Sequence, residues 1–102
     1  MLNSRQRKIL KALAHKLKPL INIGKSEIST ELVKTVQKAL YDHELIKVKI
    51  LKAVTIPKME VAQMLAQTTE AEMVNLIGHT IILYKRTDKE GFENINIDSL
   101  LV

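Results

Sequence analysis

The sequence predicts an α/β protein, a compact sandwich with elements in the order α-β-α-β-α-β-β and a small four-stranded mixed sheet. Three segments carry apolar residues at helical spacing, and shorter runs rich in Ile, Val and Leu lie between and after them. The chain has 102 residues, of which 46% are hydrophobic and 26% charged, as is typical of one globular domain. Because each helix must bury its apolar stripe, the three helices share the two faces of the sheet.

The first predicted helix covers residues 4–15, with Asn3 or Ser4 as its N-cap. Its apolar residues at helical spacing, which we expect to be buried, are Ile9, Leu10, Leu13 and Leu17. The basic residues on the opposite face are Lys8, Lys11, His15 and Lys18. Pro19 ends the helical segment, because the residue before a proline favours extended backbone.

The other two helices are predicted from residue 30 to 41, opened by Ser29 or Thr30, and from about Pro57 to residues 68–69. The four strands are predicted at residues 20–23, 45–52, 72–77 and 80–85. In the second strand Ile, Val and Ile alternate with Lys47 and Lys49, which indicates one buried and one solvent-exposed face. Gly78-His79 between the last two strands is typical of a two-residue hairpin turn.

We divide the chain into a domain of residues 1–86 and an acidic tail of residues 87–102. Within the tail, residues 94–97 alternate between Asn and Ile, so this stretch either adds a short edge strand or is loose.

The segment from Lys18 to Thr30 combines a short strand, a basic loop and the start of a helix. Gly24 can take a positive φ without strain, and Lys25 and Ser26 follow it directly. A helix start next to such a loop brings free backbone N–H groups and an ammonium together, which is chemistry suited to a phosphate.

The positive charge is concentrated at the beginning of the chain. Residues 1–25 carry seven Lys and Arg and no Asp or Glu, so the overall +5 leaves −2 for residues 26–102. This asymmetry suggests a polyanionic partner, although on charge alone a merely soluble Lys-rich surface is an equal alternative. The predicted nucleic-acid-binding residues are Arg5, Lys8, Lys11, His15, Lys18, Gly24, Lys25 and Ser26, extended by Lys47, Lys49, Lys85 and Arg86 if their strands turn outward.

Enzyme motifs are not found in the sequence. There is no cysteine, and the three histidines (His15, His43 and His79) do not stand at metal-ligand spacing. Gly24-Lys25-Ser26 resembles the end of a P-loop, but Pro19 stands where that motif requires its first glycine. We therefore predict a non-enzyme with no cofactor, no bound metal and no small-molecule substrate. The polar N-terminus and the lack of a long apolar run predict a cytoplasmic protein with no membrane contact.

Phosphate contact is the favoured mode of binding. The basic helix lacks the mixture of Asn, Gln and Arg that reads base edges in DNA, and aromatic residues, at 3% of the chain, are too few for a base-stacking platform. A short Gly loop beside a basic helix has its precedent in the KH module, whose GXXG loop clamps the backbone of nucleotides, so RNA bound through its phosphates is the favoured partner. Two alternatives stay open: a non-specific DNA-binding protein, and a protein-interaction module that docks through the apolar residues Leu100-Leu101-Val102. We expect a monomer.

Four motifs resemble the YhbY proteins of bacteria, the single-domain members of the CRM (chloroplast RNA splicing and ribosome maturation) family of RNA-binding proteins. The motifs, in the family's order and spacing, are residues 13–19 (LAHKLKP), 23–25 (IGK), 43–49 (HELIKVK), and 77–80 (IGHT) with 83–86 (LYKR). The resemblance covers about residues 2–86.

This resemblance implies a fold similar to the C-terminal domain of bacterial translation initiation factor three. It also implies association with precursors of the large ribosomal subunit through ribosomal RNA. The family's RNA-contacting loop reads Gly-x-x-Gly, whereas this chain has Glu27 at the second glycine position. A carboxylate there would repel a nearby phosphate, so Glu27 is not among the predicted contacts.

Overall fold

A computed structural model describes residues 2–25 and 28–97. The helices are α1 (Ser4–Ala14), α2 (Thr30–His43) and α3 (Lys58–Thr69), and the strands are β1 (Ile21–Ile23), β2 (Leu45–Ile50), β3 (Glu72–Ile77) and β4 (Thr80–Tyr84). The predicted α/β class and order of elements are confirmed. The roles predicted for Ser26, Glu27 and Leu100-Leu101-Val102 concern residues outside the described ones.

The four strands form one mixed sheet in the order β1-β2-β4-β3. β1 pairs with β2 in parallel, and β4 pairs antiparallel with both β2 and β3. The hairpin between β3 and β4 is the predicted two-residue turn, since Ile77 pairs with Thr80 and Gly78 takes a φ of +57°. β1 and β3 are therefore the edges of the sheet.

The sheet has an apolar cluster on each face. On one face, Ile46, Val48 and Ile50 of β2 pack with Val36 of α2 and Leu65 of α3. On the other face, the buried residues of α1 pack against strand residues; this cluster consists of Leu2, Leu10, Ala14, Leu45, Val74, Ile82 and Tyr84. The alternation predicted for β2 is confirmed, because Lys49 is exposed between buried neighbours.

Helix α1 begins with a capping box in which the Asn3 side chain accepts from Gln6 N at 2.8 Å and the Gln6 side chain accepts from Asn3 N at 3.0 Å. The helix buries Ile9 and Leu10 as predicted, but the expectation that Leu13 and Leu17 are buried is wrong. They are 46% and 40% exposed. Ala14 takes the central contact with the sheet, which turns Leu13 to the flank, and Leu17 lies beyond the helix end.

These two leucines, together with Leu20, line a groove of about 460 Å³ between the end of α1 and the start of β2. Leu20 is also exposed, because β1 begins at Ile21 and not at residue 20. The burial of Ala14 in place of Leu13, together with the end of the helix before Leu17, therefore leaves two leucines on the surface that helical periodicity alone would place in the core.

Glu44 joins α2 to β2 with a positive φ of +69°, and its side chain is fully buried. Its Oε1 accepts from Ile95 N at 2.8 Å, and its Oε2 accepts from Thr87 N at 3.0 Å and from the Asn94 side-chain amide. Its backbone O accepts from Lys85 N at 2.9 Å. One carboxyl group thus holds the segment after β4 against the end of α2.

Residues 94–97 form turns and irregular backbone and add no strand to the described part of the sheet. Ile95 and Ile97 pack against the cluster beneath α1. The sequence left an edge strand and a loose segment open, and the structure has a third arrangement, an irregular segment fixed by hydrogen bonds to a buried carboxyl.

Replacing Glu44 by Gln is expected to lower the free energy of unfolding by about 2–3 kcal/mol, because one of the three donors would face an NH₂ group. Chemical denaturation monitored by circular dichroism measures this loss. Glu70→Gln is the matched control: Glu70 also has positive φ, at +56°, but is exposed, so we expect a change within about 0.5 kcal/mol. Equal effects of the two substitutions would contradict the assigned role of Glu44.

Candidate nucleic-acid interface

The parallel pairing of β1 with β2 brings several loops to one edge of the sheet. Ile23 and Ile50 are paired at the ends of these strands, so the chain after each strand leaves from the same edge. Leu51 N donates to Ile23 O at 2.9 Å, and Ile50 N donates to His79 O at 2.7 Å. Gly24-Lys25, the chain after β2 and the Gly78-His79 turn therefore lie side by side at what we call the loop edge.

The loop after β1 leads into the N-terminus of α2. The Ser29 side chain is the N-cap and accepts from Leu32 N at 3.1 Å, so the predicted cap is confirmed. Lys25 is exposed at the described end of the loop. An ammonium and the positive end of a helix dipole both attract phosphate, and this segment of the chain contains one of each.

Gly24 does not use the conformational freedom of glycine, since its φ lies outside the left-handed region. An added Cβ would also meet no atom within 4 Å. Neither backbone conformation nor packing within the described residues requires glycine at this position. What glycine does provide here is room for a ligand to approach the backbone closely.

The sheet face beneath α1 is only partly covered. α1 packs over β3, β4 and the start of β2, whereas Asn22 and Lys49, which are paired neighbours on β1 and β2, are exposed. Lys47 is half-buried, and its Nζ donates to Leu17 O at 2.9 Å. This bond ties the chain after α1 to the sheet, so the basic helix and the sheet lysines form one side of the molecule.

The predicted basic residues of the helix segment are all exposed. They are Arg5, Lys8, Lys11, His15 and Lys18. Arg5, Lys8 and Lys11 are on α1, His15 is its C-cap, and Lys18 lies in the chain that follows. Because α1 packs on the sheet face that carries Lys47 and Lys49, these residues belong to the same side of the molecule. We call these seven residues, with Gly24 and Lys25, the basic surface.

Lys85 and Arg86 are not brought to this surface. β4 ends where β2 begins, since Tyr84 pairs with Leu45, so both residues follow β4 at the edge opposite the loop edge. Lys85 Nζ donates to Thr69 O of α3 at 3.3 Å, and Arg86 Nη2 contacts Asn94 Oδ1 at 3.5 Å. The predicted extension therefore includes Lys47 and Lys49 but is wrong in joining Lys85 and Arg86 to them.

Arg7 has a structural role that sequence reasoning missed. β3 contains a bulge at Val74, because Met73 pairs with Leu83 and Asn75 with Ile82. Arg7 Nη1 donates to the two carbonyl oxygens at this bulge, Met73 O at 2.6 Å and Val74 O at 3.0 Å. The charge count of the sequence treats Arg7 like any other basic residue, and no sequence pattern predicts the bulge whose carbonyl oxygens accept its hydrogen bonds.

Among residues 2–25 and 28–97, no group of three or more His, Asp or Glu side chains is placed to hold a metal ion. None of the helices in these ranges has the length and apolar character needed to cross a membrane.

Comparison with known proteins identifies a family and agrees with the fold. Residues 2–85 match the sequence profile of the CRS1 / YhbY (CRM) domain. The chain belongs to the CRM family. The match covers every helix and strand of the structure and ends just before the segment that Glu44 holds in place.

Two relatives of this chain are named as probable RNA-binding proteins. The chain is 36% identical over 98 residues to the probable RNA-binding protein YqeI of Bacillus subtilis, covering 96% of this chain and 98% of that protein. It is 37% identical over 94 residues to a probable RNA-binding protein of Methanocaldococcus jannaschii, covering 90% and 68%. The solution structure of the hypothetical protein SAV1595 from Staphylococcus aureus has the same fold, with a TM-score of 0.75 and 34% identity, covering 88% of this chain and 94% of that one.

Two substitutions at neighbouring positions of α1 distinguish a positive charge that stabilises this CRM domain from one that is exposed to solvent. Arg7→Met is expected to lower the free energy of unfolding by about 1–2 kcal/mol, because the bulge carbonyls lose their donor. Lys8→Met removes the same charge from an exposed position and is expected to change it by less than about 0.5 kcal/mol. Urea denaturation of both variants measures the difference, and a Lys8 variant as unstable as the Arg7 variant would contradict it.

Proposed function

We propose that this protein binds RNA through the basic surface, with the Gly24-Lys25 end of the loop holding a phosphate at the start of α2. The observation that carries the proposal is the parallel pairing of β1 with β2, which puts exposed Lys25, in the loop after β1, and exposed Lys49, near the end of β2, at one edge of the sheet. Ser26 belongs to the proposed contact on sequence grounds. The relatives named as RNA-binding proteins favour RNA as the polyanion.

The chemistry of the surface favours phosphate contact over base reading. Its charged members are mostly lysines, which attract phosphates from any sequence and so position a nucleic acid without specifying it. Glycine at position 24, which nothing in the described fold requires, would let a phosphate reach the backbone N–H groups of the loop. Binding, without catalysis, is the activity that this arrangement supports.

The proposed RNA partner is ribosomal RNA in precursors of the large subunit, and the proposed role is in their assembly in the cytoplasm by a monomer. This part rests on the resemblance to the YhbY proteins and on the family membership. The proposed division into an RNA-binding domain of residues 1–86 and a tail of residues 87–102 needs one refinement. The bonds that Glu44 accepts from Thr87 and Ile95 favour counting residues 87–97 with the domain.

Lys25→Ala is expected to weaken binding to RNA of any sequence and to reduce the slope of log K against log salt by about one unit. Fluorescence anisotropy with a labelled fragment of large-subunit ribosomal RNA at several salt concentrations measures both quantities. Lys38→Ala is the matched control, since it removes one exposed lysine from the outer side of α2, on the other face of the sheet. We expect its affinity and slope to equal those of the native chain.

An unchanged slope for Lys25→Ala, or an equal loss for Lys38→Ala, would contradict binding at the loop edge. A DNA duplex of the same length supplies the test of the DNA alternative. Equal affinity for the duplex and for ribosomal RNA would favour non-specific DNA binding.

Sedimentation of a cell lysate through a sucrose gradient tests the ribosomal part of the proposal. At low salt the protein is expected to migrate with large-subunit precursors, and at high salt it is expected to move to the top, because phosphate contacts are screened. A protein that stays at the top at low salt would contradict association with the ribosome while leaving RNA binding itself open to the anisotropy experiment.

A further inference from the structure

A cleft of about 490 Å³ opens between the last turns of α2 and the segment after β4. It lies away from the basic surface, because α2 packs on the opposite face of the sheet from α1. Tyr41 and Arg86 are among the residues that line it, with Gln37 and Asp88 beside them. Its volume is within the usual range of small-molecule sites.

The cleft is built on fixed backbone. Thr87, in one wall, donates from its hydroxyl to Tyr41 O at 2.6 Å and from its backbone N to Glu44 Oε2 at 3.0 Å. Lys89 Nζ bonds to Asp42 Oδ1 at 3.0 Å, which ties the two walls together a second time. The shape therefore exists before any ligand arrives, which reduces the ordering cost of binding.

Charge at the cleft is arranged around Tyr41. Lys89 Nζ lies 5.9 Å from the centre of the Tyr41 ring, and hydrogen bonds from Lys89 and then Lys38 hold the pKa of Asp42 below its ordinary value. Asp42 is thus committed to two cations. Lys85 and Arg86 contribute positive charge to the lining, and Asp88 contributes the one carboxylate.

Tyr41 leaves 47% of its surface exposed, unlike the buried Tyr84. An exposed aromatic ring stacks on the π-face of any nucleobase. A guanidinium beside it binds phosphate in a planar fork, and an amide and a carboxylate can bond to the edge of a base. The three kinds of group together match the three parts of a nucleotide.

We propose that this cleft binds one unpaired nucleotide, with the base stacked on Tyr41, the base edge facing Gln37 and Asp88, and the phosphate on Arg86. The nucleotide can be free or part of an RNA strand. Only the second source rests on the proposed function, and the site itself is separate from the basic surface. Arg86, which the sequence analysis grouped with the other basic residues, has its proposed contact in this cleft.

Nuclear magnetic resonance titration of the full chain with the four ribonucleoside monophosphates tests the site. Saturable shifts are expected at the Tyr41 ring and at the amides of Arg86 and Thr87. Tyr41→Phe, which keeps the stacking ring, should bind like the native chain, and Tyr41→Leu should bind about tenfold more weakly. Arg86→Gln should weaken binding of the monophosphates and leave the nucleosides unaffected.

The absence of shifts at these residues, or equal binding by Tyr41→Leu, would overturn the proposal. An unchanged spectrum at all other residues of each variant shows that the fold is intact. Tyr41→Phe is the control that distinguishes loss of the stacking ring from a general effect of a substitution at this position of α2.

A second arm distinguishes this inference from the proposed function. Lys25→Ala should bind monophosphates like the native chain even though it binds ribosomal RNA more weakly. A protein that binds monophosphates in the cleft but no RNA would refute the proposed function and leave this site standing. An RNA with an unpaired end should bind Tyr41→Leu more weakly than the native chain if the nucleotide comes from RNA, and equally if it is free.

Discussion

The hydrogen bonds accepted by the buried side chain of Glu44 are the constraint on which the edge of the sheet opposite the loop edge depends. They hold the chain after β4 against the junction of α2 and β2, where Glu44 stands. A buried carboxyl with donors on both oxygens can take few other positions, because any shift would leave an N–H group or an oxygen unpaired. The walls of the Tyr41 cleft and the packing of Ile95 under α1 both follow from this one group.

The sheet then separates the two sides of the molecule. β2 carries Ile46, Val48 and Ile50 into the core with α2 and α3, and it directs Lys47 and Lys49 to the side of α1. Because β1 runs parallel to β2, the loop containing Lys25 begins at the edge of the sheet where β2, the strand that carries these lysines, ends. Strand alternation and one parallel pairing therefore create the basic surface, without a dedicated recognition helix.

Much of this could be predicted from the sequence, since periodicity reports which side of each element is buried. The class, the order of elements, the Ser29 cap and the turn at Gly78 all follow from local rules. The predictions that failed are those that depend on contacts between elements distant in the sequence. The exposure of Leu13 depends on how α1 crosses the sheet, and the role of Arg7 depends on a bulge in a strand 66 residues away.

The residues of the candidate site also fall into those that the sequence could place correctly and those that it could not. Residues on α1 and β2 could be assigned to one side because helix and strand geometry carries that information. Lys85 and Arg86 could not be assigned correctly, because their direction depends on where β4 ends and on the contact of Lys85 with Thr69. Glu44 gave no signal, since a glutamate at a helix end reads as a solvated charge until its burial is known.

The most direct test of RNA binding by the basic surface is an amide footprint of the full chain, recorded by nuclear magnetic resonance as large-subunit ribosomal RNA is added. The account predicts that shifts and broadening concentrate at Asn22, Gly24, Lys25 and Lys49 and along the exposed side of α1. A footprint confined to the outer sides of α2 and α3, with Lys25 and Lys49 unaffected, would contradict it.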